Sequence, residues 1–446
     1  MRKFLKFFGL IVLAGLIYGV AANYPKLELI SGFAAKSVAS GHFIDHRSLE
    51  LINQTDNDLP LVRLAKNSFD DAGKWALSSV YGLKERKAIY REGLGATLID
   101  DDFDLTLPYE VPNRLQPGIQ KPYPLGTLPE KDTIFDDIDT PKLKTAIENA
   151  FDQKGEKSKR TRAVVVLYKD HLLGEQYAPG FNKNSKILGW SMTKSITGTY
   201  FGILQHQHKI NINQPAPIAE WQKDERKKIT LNDLLHMNSG LEWEENYEKI
   251  CDATQMLFLS KDMSRVQLEK PLIGPPNQSW NYSSGTTNLL SGILKKQFNS
   301  HQQYLDFWYS SLLDKIGMYS ALVETDMSGN FVGSSYGWAT ARDWAKFGLL
   351  YLHKGNWNGE QIFDENWAKY VSTPTQTSNG NYGAQFWLND GGKFPDVPRE
   401  MFYCSGFQGQ MVAIFPKHDL VVVRMGTSED FDFNALLSGI VNSLKK

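Results

Sequence analysis

Two pairs of apolar runs, set far apart in the chain, most constrain its fold. Ala163-Val-Val-Val-Leu-Tyr168 and His171-Leu-Leu-Gly-Glu-Gln-Tyr177 are joined by Lys169-Asp170, which leaves room only for a tight turn. Near the C-terminus, Gln410-Met-Val-Ala-Ile-Phe415 and Leu420-Val-Val-Val-Arg-Met425 flank Pro416-Lys-His-Asp419. Short apolar runs rich in β-branched residues and bounded by turn residues read as strands. Between the two pairs the patterns are mostly helical, and an amphipathic segment from Phe433 to Leu444 closes the chain. This order predicts an α+β fold: one antiparallel sheet built from both chain ends of the domain, flanked by helices, with a mostly helical insertion.

At 446 residues the chain can bury a large core and exceeds a single small domain. A formal net charge of −1 gives no long-range pull toward nucleic acid or an anionic membrane surface. The cluster Lys154, Lys157, Lys159, Arg160 and Arg162 reads as a solvated lead-in to the first strand. At the N-terminus, Arg2, Lys3 and Lys6 precede an uncharged run from Phe7 to Ala22, and Val20-Ala21-Ala22 offers small residues for cleavage. This pattern predicts export to the periplasm or beyond. Residues 1–22 then form either a cleaved signal or a retained anchor, with residues 7–22 giving membrane attachment in the second case. Residues 23–134 read as an extension and connector of no assigned function. Gly, Asp and Asn are scattered among short apolar runs, then Pro108, Pro112, Pro117, Pro122, Pro124 and Pro129 suggest an extended path over a surface. Residues 135–446 form the main domain. Cys251 and Cys404 are open to two readings, a disulfide in an oxidising compartment or two separate thiols.

The chemistry centres on Ser191-Met192-Thr193-Lys194, directly ahead of an apolar-periodic segment with Ile196, Ile203 and Leu204. On a helix, residues three apart share a face, so the lysine amine can reach the serine hydroxyl and take its proton. The tetrapeptide alone also fits a polar helix start with an exposed lysine, and Ser443-Leu-Lys-Lys446 repeats the pattern by accident at the chain end. Gly198 and Gly202 follow on the lysine's face and would admit a close neighbour there. Two further stretches can complete a site. Pro276-Asn-Gln-Ser-Trp-Asn-Tyr282-Ser283-Ser284-Gly285 puts a tyrosine on a polar loop, either a proton relay or a plain surface tyrosine. Tyr403-Cys404-Ser405-Gly406-Phe407-Gln408-Gly409-Gln410 leads into a strand, where glycines admit a ligand or mark a bulge.

As an ordered set these residues resemble the serine β-lactamase and penicillin-binding-protein superfamily, especially its class C, esterase and 6-aminohexanoate-dimer hydrolase-like branch. The S-x-x-K motif is matched by Ser191 and Lys194, the Y-x-N/S motif by Tyr282-Ser283-Ser284, and the K-T-G/H-x-G strand by Cys404-Ser405-Gly406. Leu234-Leu-His-Met-Asn-Ser-Gly-Leu241 and Gly337-Trp-Ala-Thr-Ala-Arg-Asp-Trp-Ala-Lys-Phe-Gly348 are similar to two further family segments. The resemblance spans roughly residues 135–446. It implies a serine hydrolase in which Ser191 forms an acyl-enzyme and Lys194 with Tyr282 moves protons. The backbone N–H groups of Ser191 and Phe407 would form the oxyanion hole, and Ser284, Cys404, Ser405 and Gly406 would face substrate. No cofactor or metal is implied. Cys404 stands where the family has a basic residue that holds a β-lactam carboxylate, and Ser284 replaces an asparagine. With the Gly406-Phe-Gln-Gly-Gln410 ending, these departures favour an ester or small linear amide as substrate. The alternatives are a β-lactamase or cell-wall peptide hydrolase, or a non-catalytic member that binds peptidoglycan or a partner. Trp190, Trp280 and Tyr403 flank the motifs, as pocket wall or as core.

Two other patterns carry less weight. Gly333-Ser334-Ser335-Tyr336-Gly337 matches a nucleophile elbow, with Asp343 and His418 following in order, but no central strand or βαβ series precedes it. His206 and His208 read as a polar helix end. The oligomeric state is not legible.

Overall fold

The computed structural model describes residues 2–155, 157–247 and 249–445, without the side chains of 2–3, 5–6, 9–17 and 20–22. The run from Phe7 to Ala22, on which the export expectation rests, therefore falls mostly outside the described side chains. Among the described residues no helix is long and apolar enough to cross a membrane. The chain divides into two compact units, one of residues 1–91, 95–106 and 246–261 and the other of the remainder.

In the first unit the helix Arg2–Asp45 lies against a four-stranded antiparallel meander, Ala65–Asp70, Trp75–Val80, Leu83–Arg91 and Gly95–Ile99. Small residues on both partners allow the close approach. Ala34, Ala35 and Ala39 on the helix are fully buried, as are Ala76, Ala88 and Ala96 on the strands. Tyr81 and Gly82 turn the second strand into the third, both with left-handed backbone (φ 55° and 73°), the geometry a two-residue hairpin requires. The short helix Asp252–Leu259 joins this unit from far along the chain, with Phe258 packed on Phe33 at 5.3 Å. Sequence reading found no sheet here. The buried face is built largely from alanines and carries Lys84 and Arg86 as well, while the other carries Glu85 and Lys87, so the apolar alternation that marks a strand is muted.

The second unit contains a six-stranded sheet, antiparallel throughout. Its order is Trp387–Leu388, Phe402–Gly406, Gln410–Phe415, Leu420–Gly426, Thr161–Tyr168, His171–Tyr177. The join between the two ends is the pairing of Leu420–Gly426 with Thr161–Tyr168, where Val423 faces Val165. The sheet built from both chain ends is therefore present as expected. Both faces are covered, which is why its central strands read as unbroken apolar runs. Val164, Val166, Ala413 and Val422 pack with the helices Thr140–Glu148 and Phe433–Val441. Val165, Leu167, Val412, Ile414 and Val423 pack on the other side, in the core that holds Thr193–His206 and Ala341–Leu352.

A small three-stranded sheet carries the chain to the candidate nucleophile. Lys186–Leu188 pairs with Gly337–Thr340, and the Gly189 N–H donates to the Gly337 carbonyl at 2.8 Å. The helix Thr193–His206 is buried along nearly its whole length. Gly198 and Gly202 leave no gap beside Lys194. A Cβ at Gly198 would meet Gln385 at 2.9 Å, and one at Gly202 would meet Trp367 at 2.6 Å, so both are packing glycines. Residues 129–135 form no helix or strand, and the preceding segment is tied to its unit by Arg114, whose guanidinium donates to Asp314 at 2.6 Å.

Candidate active site

A single tight turn, Trp190–Met192, delivers Ser191 to the head of the Thr193–His206 helix. Trp190 has φ 48°, a conformation costly for a bulky residue. It is held there by Phe407, edge-on at 5.4 Å, and by Tyr336 at 6.1 Å. Thr193 locks the turn from below, donating to the Trp190 carbonyl at 2.7 Å and accepting from the Gly337 N–H at 2.9 Å. Ser191 is half-buried, while every neighbour from Met192 to Leu204 is buried.

Lys194, 1 % exposed, places its amine among three oxygens. Nζ lies 2.8 Å from Ser191 Oγ, 2.9 Å from Ser284 Oγ and 3.0 Å from the Ser334 carbonyl. Burial pulls its pKa down to about 8, against the opposing pull of the Glu245 carboxylate. Its ammonium position also sits 4.9 Å over the Tyr282 ring. Burial, then Glu245, pushes the Tyr282 phenol well above the usual tyrosine range, and a hydrogen bond with Ser191 offsets this only in part. Lys194 is thus the group that can lose its proton near neutrality, and Tyr282 keeps its own.

The Tyr282 loop is fixed by the segment 234–241. The Asn281 N–H donates to the Met237 carbonyl at 2.8 Å, and the Asn277 N–H to that of Asn238 at 2.8 Å. Ser283 caps the helix Ser284–Lys295. Ser284 does not open onto a substrate space: it is fully buried, and its hydroxyl donates to Glu245 Oε1 at 2.7 Å while receiving from Lys194. Glu245 Oε2 accepts the Ser284 N–H at 2.7 Å and the Trp243 indole N–H at 2.8 Å.

On the third stretch, Gly406 has a specific steric role. A Cβ there would sit 2.1 Å from the Gly189 carbonyl, so only glycine lets this strand pass the nucleophile turn and bring Phe407 beside Trp190. Cys404 is buried in the core with its thiol beside Ser195, and burial pushes its pKa up to about 12. It is neutral and enclosed, not a substrate-facing group as expected, because its strand face is covered by the Thr193–His206 helix. Ser405 is half-buried opposite Met411. The turn after Gly406 rests on Arg424, buried beneath it and donating to the Gly409 carbonyl at 2.7 Å and the Lys159 carbonyl at 2.6 Å. The two cysteines are free, and each is buried.

The aromatic expectation divides. Trp280 packs with Tyr282, Tyr382 and Trp387, at 5.4 Å from Tyr382 and 5.8 Å from Trp387; Trp280, Tyr282 and Trp387 form a half-buried wall, backed by the buried Tyr382, with Tyr282 next to Lys194. Tyr403 lies in the core on the opposite face of the sheet. Ser335 is completely buried against Ser334, with no elbow strand before it. The 333–337 turn contributes instead through its backbone: Ser334, held by Asn288 at 3.0 Å, offers its carbonyl to Lys194. Glu245, Ser334 and Arg424 were not found from the sequence. Only Arg424 left a signal there, a charge inside the run Leu420–Met425.

A family model described as Beta-lactamase matches residues 147–438. The chain is 24% identical over 311 residues to the 6-aminohexanoate-dimer hydrolase of Paenarthrobacter ureafaciens, covering 63% of this chain and 77% of that protein. Among solved structures, a Bacillus anthracis protein provisionally named a 6-aminohexanoate-dimer hydrolase aligns with a TM-score of 0.57 at 23% identity, over 72% of this chain and 86% of that one. A family VIII carboxylesterase aligns with a TM-score of 0.55 at 14% identity, over 71% and 100%. The two structural likenesses concern the fold. The family match takes in all three motif stretches and most of the second unit, and on it the chain belongs to the beta-lactamase family of hydrolases.

Proposed function

We propose that this chain is an exported serine hydrolase that acts through an acyl-enzyme on an ester or a small linear amide. The observation that carries the reading is the buried Lys194 amine 2.8 Å from Ser191 Oγ. With its pKa lowered to about 8, a share of the lysine on the order of a tenth is neutral at pH 7, on the order of a hundredfold more than for an ordinary lysine. Neutral Lys194 takes the proton of Ser191 as its oxygen attacks the substrate carbonyl carbon. The N–H groups of Ser191 and Phe407 receive the oxyanion. The leaving group departs with a proton relayed from Lys194 through the Tyr282 hydroxyl, and water then enters by the same route in reverse.

Substrate class follows from the third stretch. A neutral, enclosed thiol at Cys404 supplies no cation for a β-lactam carboxylate. The similarity to a 6-aminohexanoate-dimer hydrolase supports a linear amide. Export rests on Arg2, Lys3 and Lys6 ahead of the uncharged run to Ala22. Rapid mixing with p-nitrophenyl butyrate, and with a cephalosporin in parallel, tests the reading. A burst of p-nitrophenol that disappears in Ser191→Ala is expected. A folded protein with no burst overturns the enzyme reading, and cephalosporin turnover faster than ester turnover overturns the substrate class.

A further inference from the structure

Of the three groups around the Lys194 amine, two can only accept a proton from it. The Ser334 carbonyl has none to give. The Ser284 hydroxyl has one, but that proton is committed to Glu245 Oε1 at 2.7 Å. The commitment is firm because Glu245 is itself held at its other oxygen by the Ser284 and Trp243 N–H groups. A neutral lysine has two N–H bonds and one lone pair. Its two N–H bonds are taken by Ser284 Oγ and the Ser334 carbonyl, so the lone pair is left facing Ser191 Oγ, whose own proton is available to it when the protonated Tyr282 hydroxyl donates to Ser191.

We infer that Glu245 is a positioning residue that, through Ser284, aims the lone pair of neutral Lys194 at the Ser191 hydroxyl. The inference rests on Ser191 being the nucleophile. Without the carboxylate, the Ser284 proton is free to turn toward Lys194 and occupy the lone pair itself. A serine has a mobile proton, and Glu245 fixes where it points.

Glu245→Gln tests this with almost no change of shape. Its carbonyl oxygen must stay where the Ser284 and Trp243 N–H groups converge, which sets its NH₂ against Ser284 Oγ and forces the serine proton toward Lys194. The burst rate with p-nitrophenyl butyrate is expected to fall about 10- to 100-fold with KM within about twofold, part of the roughly 10²–10⁴ that a positioned base supplies. Glu245 and Tyr282 are the titratable groups that face Lys194, and Glu245 favours its charged form. The inflection of the pH–rate profile is therefore expected to move to lower pH, which a merely structural role would not produce. In the double variant Glu245→Gln/Ser284→Ala the misdirected hydroxyl is gone, so it should be no slower than Glu245→Gln alone. Losses that multiply, or a Glu245→Gln enzyme with wild-type rate and profile, overturn the inference. If Glu245→Gln melts early, Ser284→Ala alone carries the test: a rate about tenfold lower supports the inference, and a wild-type rate overturns it. Absence of a Ser191-dependent burst in the wild type is a different result, since it removes the hydrolase reading itself.

Discussion

Lys194 shows how far burial can retune one side chain. The loss of water around its amine outweighs the attraction of Glu245, and its pKa settles at about 8. The sign of the pH dependence follows. In the proposed mechanism the active form is the deprotonated one, so kcat/KM should rise from the acid side, inflect near pH 8 and level off above it. Tyr282, whose phenol is shifted upward, adds no competing ionisation in that range. A stopped-flow pH series checks this, and a rate that falls between pH 6 and 9 would contradict it. Ser191, Lys194 and Tyr282 were legible in the sequence because each stands in a short motif whose spacing has a geometric meaning. Glu245 and the Ser334 carbonyl were not, because they reach the lysine only through tertiary folding. Ser284 and Cys404 were found in the right neighbourhood but assigned to the substrate, and burial turned both toward the protein.

At the scale of elements, the site depends on how closely the strand Phe402–Gly406 passes the turn Trp190–Met192. Gly406→Ala introduces a methyl 2.1 Å from the Gly189 carbonyl, closer than any real contact, so the strand must move. The cost is expected to be about 1–3 kcal/mol in urea unfolding. The burst rate should fall at least about tenfold, as a misplaced oxyanion donor loses most of its effect. A variant of unchanged rate would mean that Phe407 does not serve the oxyanion. The strands of the large sheet were readable because both of their faces are apolar. The meander Ala65–Ile99 was not, because alanines make its buried face and the helix Arg2–Asp45 supplies the burial. Ser335 of the 333–337 pattern is buried with no elbow strand before it, yet the backbone of that segment reaches Lys194 through the Ser334 carbonyl.

The second unit is held by long-range ties that no local pattern announces. Arg114, in the Pro-rich stretch, donates to Asp314 with both Nε and Nη2 and to the carbonyls of Tyr319 and Ala321. The Asp314 side chain is fully buried. Arg114→Met leaves that carboxylate without its cation and should destabilise the second unit by about 3 kcal/mol in urea unfolding. A loss below about 1 kcal/mol would place this stretch among dispensable surface segments. Within the second unit the fold holds Ser191 Oγ 2.8 Å from the Lys194 amine, the pair proposed to form the acyl-enzyme. The most direct test of that claim is to treat the folded protein with a fluorophosphonate and locate the adduct by peptide mass spectrometry. The expected result is one adduct, on Ser191, lost in Ser191→Ala and kept in Ser335→Ala. An adduct that persists in Ser191→Ala, or a folded wild type that takes no label, would contradict the account.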